Sequence, residues 1–369
     1  MHTIVYDHQT FVTQEFGGIS RYFCELASRI HGRDGFKARV IAPLHHNAYL
    51  PSCEVPKTAY RLQGNFRGRG RLCQTISGAL TPALIRLSHP SLVHRTYYTP
   101  YPRPGELPVV LSVFDMIHEL FPKSFGTHDP TFRNKYPSIK AADHLICISE
   151  STADDLMRLF DVPRAKISVT YLACSDVFAA AAPTGEVPPH SRPYLLYVGQ
   201  RAGYKNFDTA LLAYASSPQL RDEFDFAVFG GHTLSRDEQE LIDSLKLRPG
   251  TIVRLNGSDQ ELARAYRHAR AFVYPSKYEG FGIPPLEAMS SGCVVVSSNA
   301  SSIPEVVGDA AAVFDPTSID DARRALEEAC FSESTRARLL SAGADRVRQF
   351  TWDRCARETS AAYRRVING

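Results

Sequence analysis

At 369 residues the chain is long for one hydrophobic core and fits two domains of ordinary size. Its 44% hydrophobic and 22% charged residues, with 24 scattered prolines, are those of a soluble globular protein, and no apolar run approaches the roughly eighteen residues of a membrane-spanning helix. A net charge of +3 is too nearly balanced to suggest nucleic-acid wrapping.

The first residues, MHTIVYDHQTF, lack the basic and apolar regions of a signal peptide and read as a strand over 3–6. Further strands are expected at 38–43 (ARVIAP), 92–98 (LVHRTYY), 108–114 (PVVLSVF), 144–149 (HLICIS) and 166–172 (KISVTYL). Helical patterns lie between them, among them SRYFCELASRI from Ser20 and ESTADDLMRLF from Glu150. Such alternation means βαβ units and a parallel sheet.

The stretch Ala179–Pro193 is small, proline-rich and nearly uncharged, and reads as a linker. Beyond it the alternation restarts with YLLYVG, DFAVFG, TIVRLNG, AFVYPS and CVVVSS. Helices fall between these too, FDTALLAYASS and DQELARAYRHA, the latter with Asp259 as expected N-cap. Two doubly wound α/β halves are therefore expected, 1–182 and 183–349. A terminal helix at 350–369, carrying the lone Trp352, is expected to pack back on the first half.

Eight cysteines include no Cys-x-x-Cys pair, and Cys24, Cys147, Cys293 and Cys330 lie inside apolar patterns. Buried, reduced thiols in a cytoplasmic protein are expected, and no zinc site.

In open parallel sheets ligands bind beyond the carboxyl ends of strands, and the chemically suggestive segments sit just there. In YVGQRAGYKN a strand ends at Gly199, and Arg201 and Lys205 precede a helix from about Asn206. Two cations at a helix N-terminus form an anion site suited to a pyrophosphate. The same residues also describe a solvated loop with ordinary surface charges. In YPSKYEGFGIPPLEAMSSG, Glu279 and Glu287 flank a turn with Gly280 and Gly282, and a helix is expected from Pro284 or Pro285. Glu287 then reads either as a stabilising first-turn acid or, with Glu279, as a pair that accepts hydrogen bonds from sugar hydroxyls around a glycine turn.

Together these segments resemble the family 4 glycosyltransferases, retaining enzymes of GT-B architecture, in which two Rossmann-like doubly wound domains face a central cleft. EGFGIPPLE resembles the family's E-x7-E signature, VGQRAGYKN its diphosphate loop, and SIPEVVGDAAAVFDP the segment that follows. YDHQTFVTQEFGGISRYFCELASRI resembles the N-terminal Gly-Gly loop of bacterial polysaccharide mannosyl- and rhamnosyltransferases. The resemblance implies that Glu287 holds the ribose, and that Glu279, with the turn Gly280, Phe281, Gly282 and Ile283, holds the donor sugar. It implies that Arg201 and Lys205, beside Gly199, stabilise the departing diphosphate, and that Gly17 and Gly18 cover the phosphates from the first domain. No Asp-x-Asp triplet occurs, which agrees with a metal-independent site; no cofactor is expected beyond the substrate nucleotide sugar.

The family often carries a histidine after the fourth N-terminal strand. Here LSVFDMIHELFP places Phe114 at that position, leaving Asp115, and behind it His118, as replacements. The alternative for His118 is a structural residue capping a turn.

From Val55 to Gly105 there are eight basic residues (Lys57, Arg61, Arg67, Arg69, Arg71, Arg86, Arg95, Arg103) and no acid. The densest part, around Arg67, Arg69 and Arg71, suits an anionic bilayer or an acceptor phosphate, or is a plain solvated loop; the aromatic platform of an RNA module is missing. The reading is a hexosyltransferase of bacterial surface polysaccharide synthesis, such as lipopolysaccharide O-antigen, acting on a glycan or lipid-linked glycan, cytoplasmic or peripheral on the inner membrane face. GDP-mannose is the expected donor, with UDP- or dTDP-sugars as alternatives. The non-enzymatic alternative is an inactive nucleotide-sugar-binding scaffold. The first strand-to-helix turn has no G-x-G-x-x-G, which disfavours a dehydrogenase.

Overall fold

The computed structural model describes residues 1–99, 105–126, 128–201 and 203–368; Arg103 lies outside them. The chain divides into two compact units, one of Met1–His118, Phe125–Leu172 and Trp352–Gly369, the other of Glu119–Ser124 and Ala173–Thr351. The change at Leu172/Ala173 precedes the expected division at 182/183. Its reason is Phe178, which is buried in the second unit with its ring edge-on to Tyr266 at 6.0 Å.

The first unit holds a seven-stranded sheet: β1 His2–Tyr6, β2 Phe36–His45, β3 Lys57–Arg61, β4 Leu92–Arg95, β5 Val109–Val113, β6 His144–Cys147 and β7 Ile167–Val169. Their order is β3-β2-β1-β4-β5-β6-β7, parallel throughout. The second holds β8 Tyr194–Val198, β9 Asp225–Phe229, β10 Ile252–Leu255, β11 Ala271–Tyr274, β12 Val295–Ser298 and β13 Ala311–Phe314, again parallel, in the order β10-β9-β8-β11-β12-β13. Both are doubly wound sheets, whose order reverses between β1 and β4 and between β8 and β11.

Strand alternation explains why the second sheet is covered on both faces. Leu195 and Tyr197 feed one core with Phe226, Val228, Val273 and Val296, while Tyr194 and Leu196 feed the other with Ala227, Phe272 and Val295. A strand buried on both sides reads as a continuous apolar run, and these runs are visible in the sequence. β3 and β13 are not among the expected strands. β3 is a largely exposed edge strand of sequence KTAYR, and β13 is a short AAVF segment.

The last helix, Trp352–Asn368, starts after Phe350, whose ring belongs to the second unit, 5.8 Å from that of Phe281. Within the first unit this helix inserts Tyr363, whose hydroxyl meets Tyr6 Oη at 3.1 Å and His94 Nδ1 at 2.5 Å. Burial holds His94 neutral, with its proton affinity pushed down to about 3. All eight cysteines are free, and only Cys174 among them is partly exposed.

Candidate active site

The two segments singled out in the second half leave β8 and β11, the strands on either side of that sheet's switch point, the place where open parallel sheets bind ligands. After β8 the chain turns at Gly199 (φ +112°), passes a short 3-10 turn at Gly203–Lys205, and enters the helix Phe207–Ser216. Asn206 is the N-cap, in a left-handed conformation (φ +57°), rather than the first helical residue. Its buried side-chain amide donates to the carbonyls of Pro275 (2.9 Å) and Pro316 (2.8 Å). Lys277 N–H also donates to the Tyr204 carbonyl at 2.8 Å, so the loop after β8 is fastened to the loop after β11.

The two loops meet chemically as well. Lys205 Nζ donates to both carboxylate oxygens of Glu279, at 2.8 and 2.9 Å, and the Glu279 side chain is only 9% exposed. Its main chain is pinned by two adjacent serines. Ser301 Oγ accepts from Glu279 N–H at 2.8 Å, and the fully buried Ser302 donates to the carbonyls of Glu279 (2.9 Å) and Phe281 (2.8 Å). Sequence reading assigned these serines no role, although Ser302 opens the segment SIPEVV and Ser301 directly precedes it. Tyr274 lies beneath the turn; burial, and next the Glu279 charge, push its hydroxyl well above the ordinary phenol range.

Arg201 is not the ordinary surface charge of a solvated loop. Its side chain is 4% exposed; Nε donates to Glu238 at 2.6 Å, and Nη2 to the His232 carbonyl at 2.7 Å. Burial opposes ionisation of Glu238, but the bonds from Arg201 and Ser235 outweigh it and hold the carboxyl below its usual range. Nη1 is buried without a hydrogen-bond partner among the described residues. The guanidinium fits because residue 231 is glycine: a Cβ there would lie 2.7 Å from Nη1, and the backbone is left-handed (φ +71°).

The helix after the glycine turn begins at Ile283, ahead of the expected Pro284 or Pro285, because Gly282 turns the chain at φ +108° as its N-cap. Glu287 therefore lies beyond the first turn, where no acid stands, and the dipole explanation of this residue fails. It is a buried carboxylate that accepts from Tyr266 Oη at 3.4 Å. Tyr266 comes from the helix Asp259–His268, whose N-cap is Ser258 rather than Asp259; Ser258 and Glu261 form a capping box.

In the first unit, the helix Gly18–Ile30 starts ahead of the expected Ser20, with Gly17 as N-cap. A Cβ on Gly17 would fall 2.3 Å from Gln14 Oε1, which accepts the Ser20 N–H of the same helix start at 3.2 Å. Asp115 accepts from Ile117 N–H at 3.0 Å and stands 3.9 Å from the buried ammonium of Lys135. His118 is stacked on Phe125 (3.8 Å) with Phe132 edge-on, and its Nε2 lies 3.4 Å from Asp129. Phe114 turns into the aromatic core, edge-on to Tyr22 at 5.6 Å. Arg67 and Arg71 are exposed, whereas Arg69 pairs with Glu15 at 2.5 Å.

Comparison with known proteins follows the same division. Residues 16–174 match the model described as Glycosyltransferase Family 4, and residues 182–346 that described as Glycosyl transferases group 1. The chain is 30% identical to the O-antigen chain mannosyltransferase B of Escherichia coli, over 94% of this chain and 96% of that protein. In fold it is similar to a sucrose-phosphate synthase from Thermosynechococcus elongatus (TM-score 0.73, 16% identity, 99% of both chains). It is also similar to Anabaena Alr3699/HepE, solved with UDP-glucose (TM-score 0.72, 13% identity, 98% of this chain and 99% of that one).

Proposed function

The chain belongs to the family 4 glycosyltransferases, and from that premise we propose that it moves mannose from GDP-mannose to a glycan or lipid-linked glycan of a bacterial surface polysaccharide. The relative that matches nearly end to end is named a mannosyltransferase of O-antigen chains, which supports both the sugar and the acceptor class. The observation that carries the site is the Lys205–Glu279 pair, which joins the two loops at the switch point between β8 and β11.

Two helices, Phe207–Ser216 and Ile283–Ser290, start from those loops, and their N-termini favour an anion. A donor diphosphate bound there competes with Glu279 for Lys205. Lys205 then meets the charge that grows on the leaving diphosphate as the glycosidic bond breaks, and Glu279 is released to accept from sugar hydroxyls. Glu287, held by Tyr266, takes the ribose hydroxyls. Arg201 adds its positive charge from behind the loop and, through Glu238 and the His232 carbonyl, fixes the segment after β9. Charge neutralisation by these side chains and helix ends makes a divalent ion dispensable, and transfer proceeds with retention. Within the first unit, Asp115 keeps a partly exposed carboxylate and is the candidate for chemistry there, whereas His118 is enclosed by aromatic rings and serves structure.

A thermal-shift panel of GDP, UDP and dTDP with their sugars tests this. At about 100 times its dissociation constant a ligand adds roughly 2.7 kcal/mol of stability. GDP and GDP-mannose are expected to raise Tm, and Glu287→Gln to reduce that shift. A shift by UDP or dTDP alone would overturn the donor, and no shift by any nucleotide would favour an inactive scaffold.

A further inference from the structure

Three of the four leucines of the helix Arg69–Leu87 lie on the outside; Leu84 alone packs against the core of Val5, Ile41, Ile85 and Val93. The helix's buried positions are Cys73, Ser77, Gly78, Thr81 and Ile85, mostly small or polar. Ser77 explains part of this inversion. Its hydroxyl donates to the Leu44 carbonyl at 2.7 Å and accepts from Leu44 N–H at 2.9 Å, where β2 shifts register against β3. The apolar side chains are left over for solvent: Leu72, Leu80 and Leu87 are 43%, 48% and 73% exposed. With Ala79 and Ala83 they fall within an arc of about 100° on the helix surface. A helix lying on a sheet ordinarily turns such a stripe inward.

The surroundings extend the apolar face and give it a charge. Phe66 precedes the helix at 47% exposure, and Phe16, next to the Glu15 that holds Arg69, is 69% exposed. Lys57, Arg61, Arg67, Arg71 and Arg86 are all exposed, and Arg86 borders the leucine stripe. Between Val55 and Gly105 there is no acidic residue to offset them. None of the helices among the described residues is long and apolar enough to cross a membrane.

We propose that this face, the helix Arg69–Leu87 with Phe66 and Phe16, lies on an anionic lipid bilayer. The leucines and phenylalanines enter the boundary between headgroups and acyl chains, and the arginines meet lipid phosphates. Charge selects this occupant over a second copy of the chain, since two such basic faces repel each other. The inference is independent of which nucleotide sugar the second unit holds.

Vesicle flotation of the full chain tests it, using phosphatidylglycerol with phosphatidylethanolamine against pure phosphatidylcholine. Binding to the anionic vesicles alone, weakened by salt, is expected. Leu80→Ser with Leu87→Ser, both exposed, is expected to keep Tm and lose at least tenfold in partitioning. Arg67→Glu with Arg71→Glu is expected to lose at least as much, given about 1 kcal/mol per basic residue at an anionic surface. Equal binding to neutral vesicles, or unchanged binding by the leucine variant, would overturn the proposal. So would a dimer in solution that the leucine variant dissociates, which would assign the face to a second copy.

Discussion

Lys205 and Glu279 lie 74 positions apart, yet form one ion pair with two hydrogen bonds at 2.8 and 2.9 Å across the loops that leave β8 and β11. Both residues were expected to touch a ligand; neither was expected to touch the other. A pair this enclosed is a poor stability device in itself, because desolvation offsets much of the attraction. Breaking it one-sidedly is costly, because it strands the remaining charge. Lys205→Met or Glu279→Gln is expected to cost about 1.5–3 kcal/mol and at least about 10²-fold in transfer. The double variant is expected to recover part of the stability and none of the activity. Urea unfolding and transfer assays on the four-protein cycle measure both. Full activity in either single variant would remove the pair from the site.

The serine beneath the turn makes a separate prediction. Ser302 is fully buried and its hydroxyl serves the carbonyls of Glu279 and Phe281. Ser302→Ala leaves the Phe281 carbonyl without that donor, a loss of about 1–3 kcal/mol. The turn then holds the sugar less firmly, so KM for the donor is expected to rise several-fold with a smaller change in kcat. An unchanged KM alongside a lowered Tm would mean that the serine supports the fold alone.

How far the sequence reveals this site follows from where each interaction lives. Strands buried on both faces, such as Tyr194–Val198 and Ala271–Tyr274, are legible because their residues form continuous apolar runs. The edge strand Lys57–Arg61 has no such constraint and reads as loop. The two loops of the site are legible through their glycines and charges, and strand order brings them together. What is not legible is partnership across the fold. Arg201 resembles an exposed cation until Glu238, on a helix 37 positions on, is seen to hold it. Glu287 resembles a first-turn acid until Gly282 is seen to start the helix early. A Ser-Ser pair carries no signal of its own.

Phe114 supplies a test of the family position that it occupies. The side chain is 6% exposed and lies edge-on to Tyr22 and Phe23, so restoring the usual histidine would bury an imidazole among rings. Phe114→His is expected to cost about 1–3 kcal/mol and to bring no gain in transfer. Asp115→Asn is expected to lower transfer by more than Phe114→His does, and to lower Tm as well, because the buried Lys135 ammonium 3.9 Å away loses a counter-charge. A more active Phe114→His variant would show that the position still faces the chemistry.

Acid sensitivity should begin in the first unit, above the carboxylate range. Burial pushes His94 down to about 3; burial, followed by nearby cations, pushes His45 and His144 down to about 4, all from an ordinary 6.5. Above pH 6.5 these imidazoles are neutral in both states and contribute nothing to the pH dependence. Between pH 6.5 and about 4 the unfolded chain takes up protons that the folded chain refuses, so stability falls as pH falls. The carboxyls of Asp129 and Glu238, held below their ordinary 3.8 and 4.5, add their losses only at lower pH. His94 joins Tyr363 of the last helix to Ser112 of β5, so its protonation requires that helix to loosen. Tm measured from pH 7.5 to 4.5 is expected to decline from about 6.5 downward. His94→Gln is expected to lower Tm at pH 7.5 and to flatten the decline; a slope unchanged by this substitution would show that His94 is not a source of the acid sensitivity.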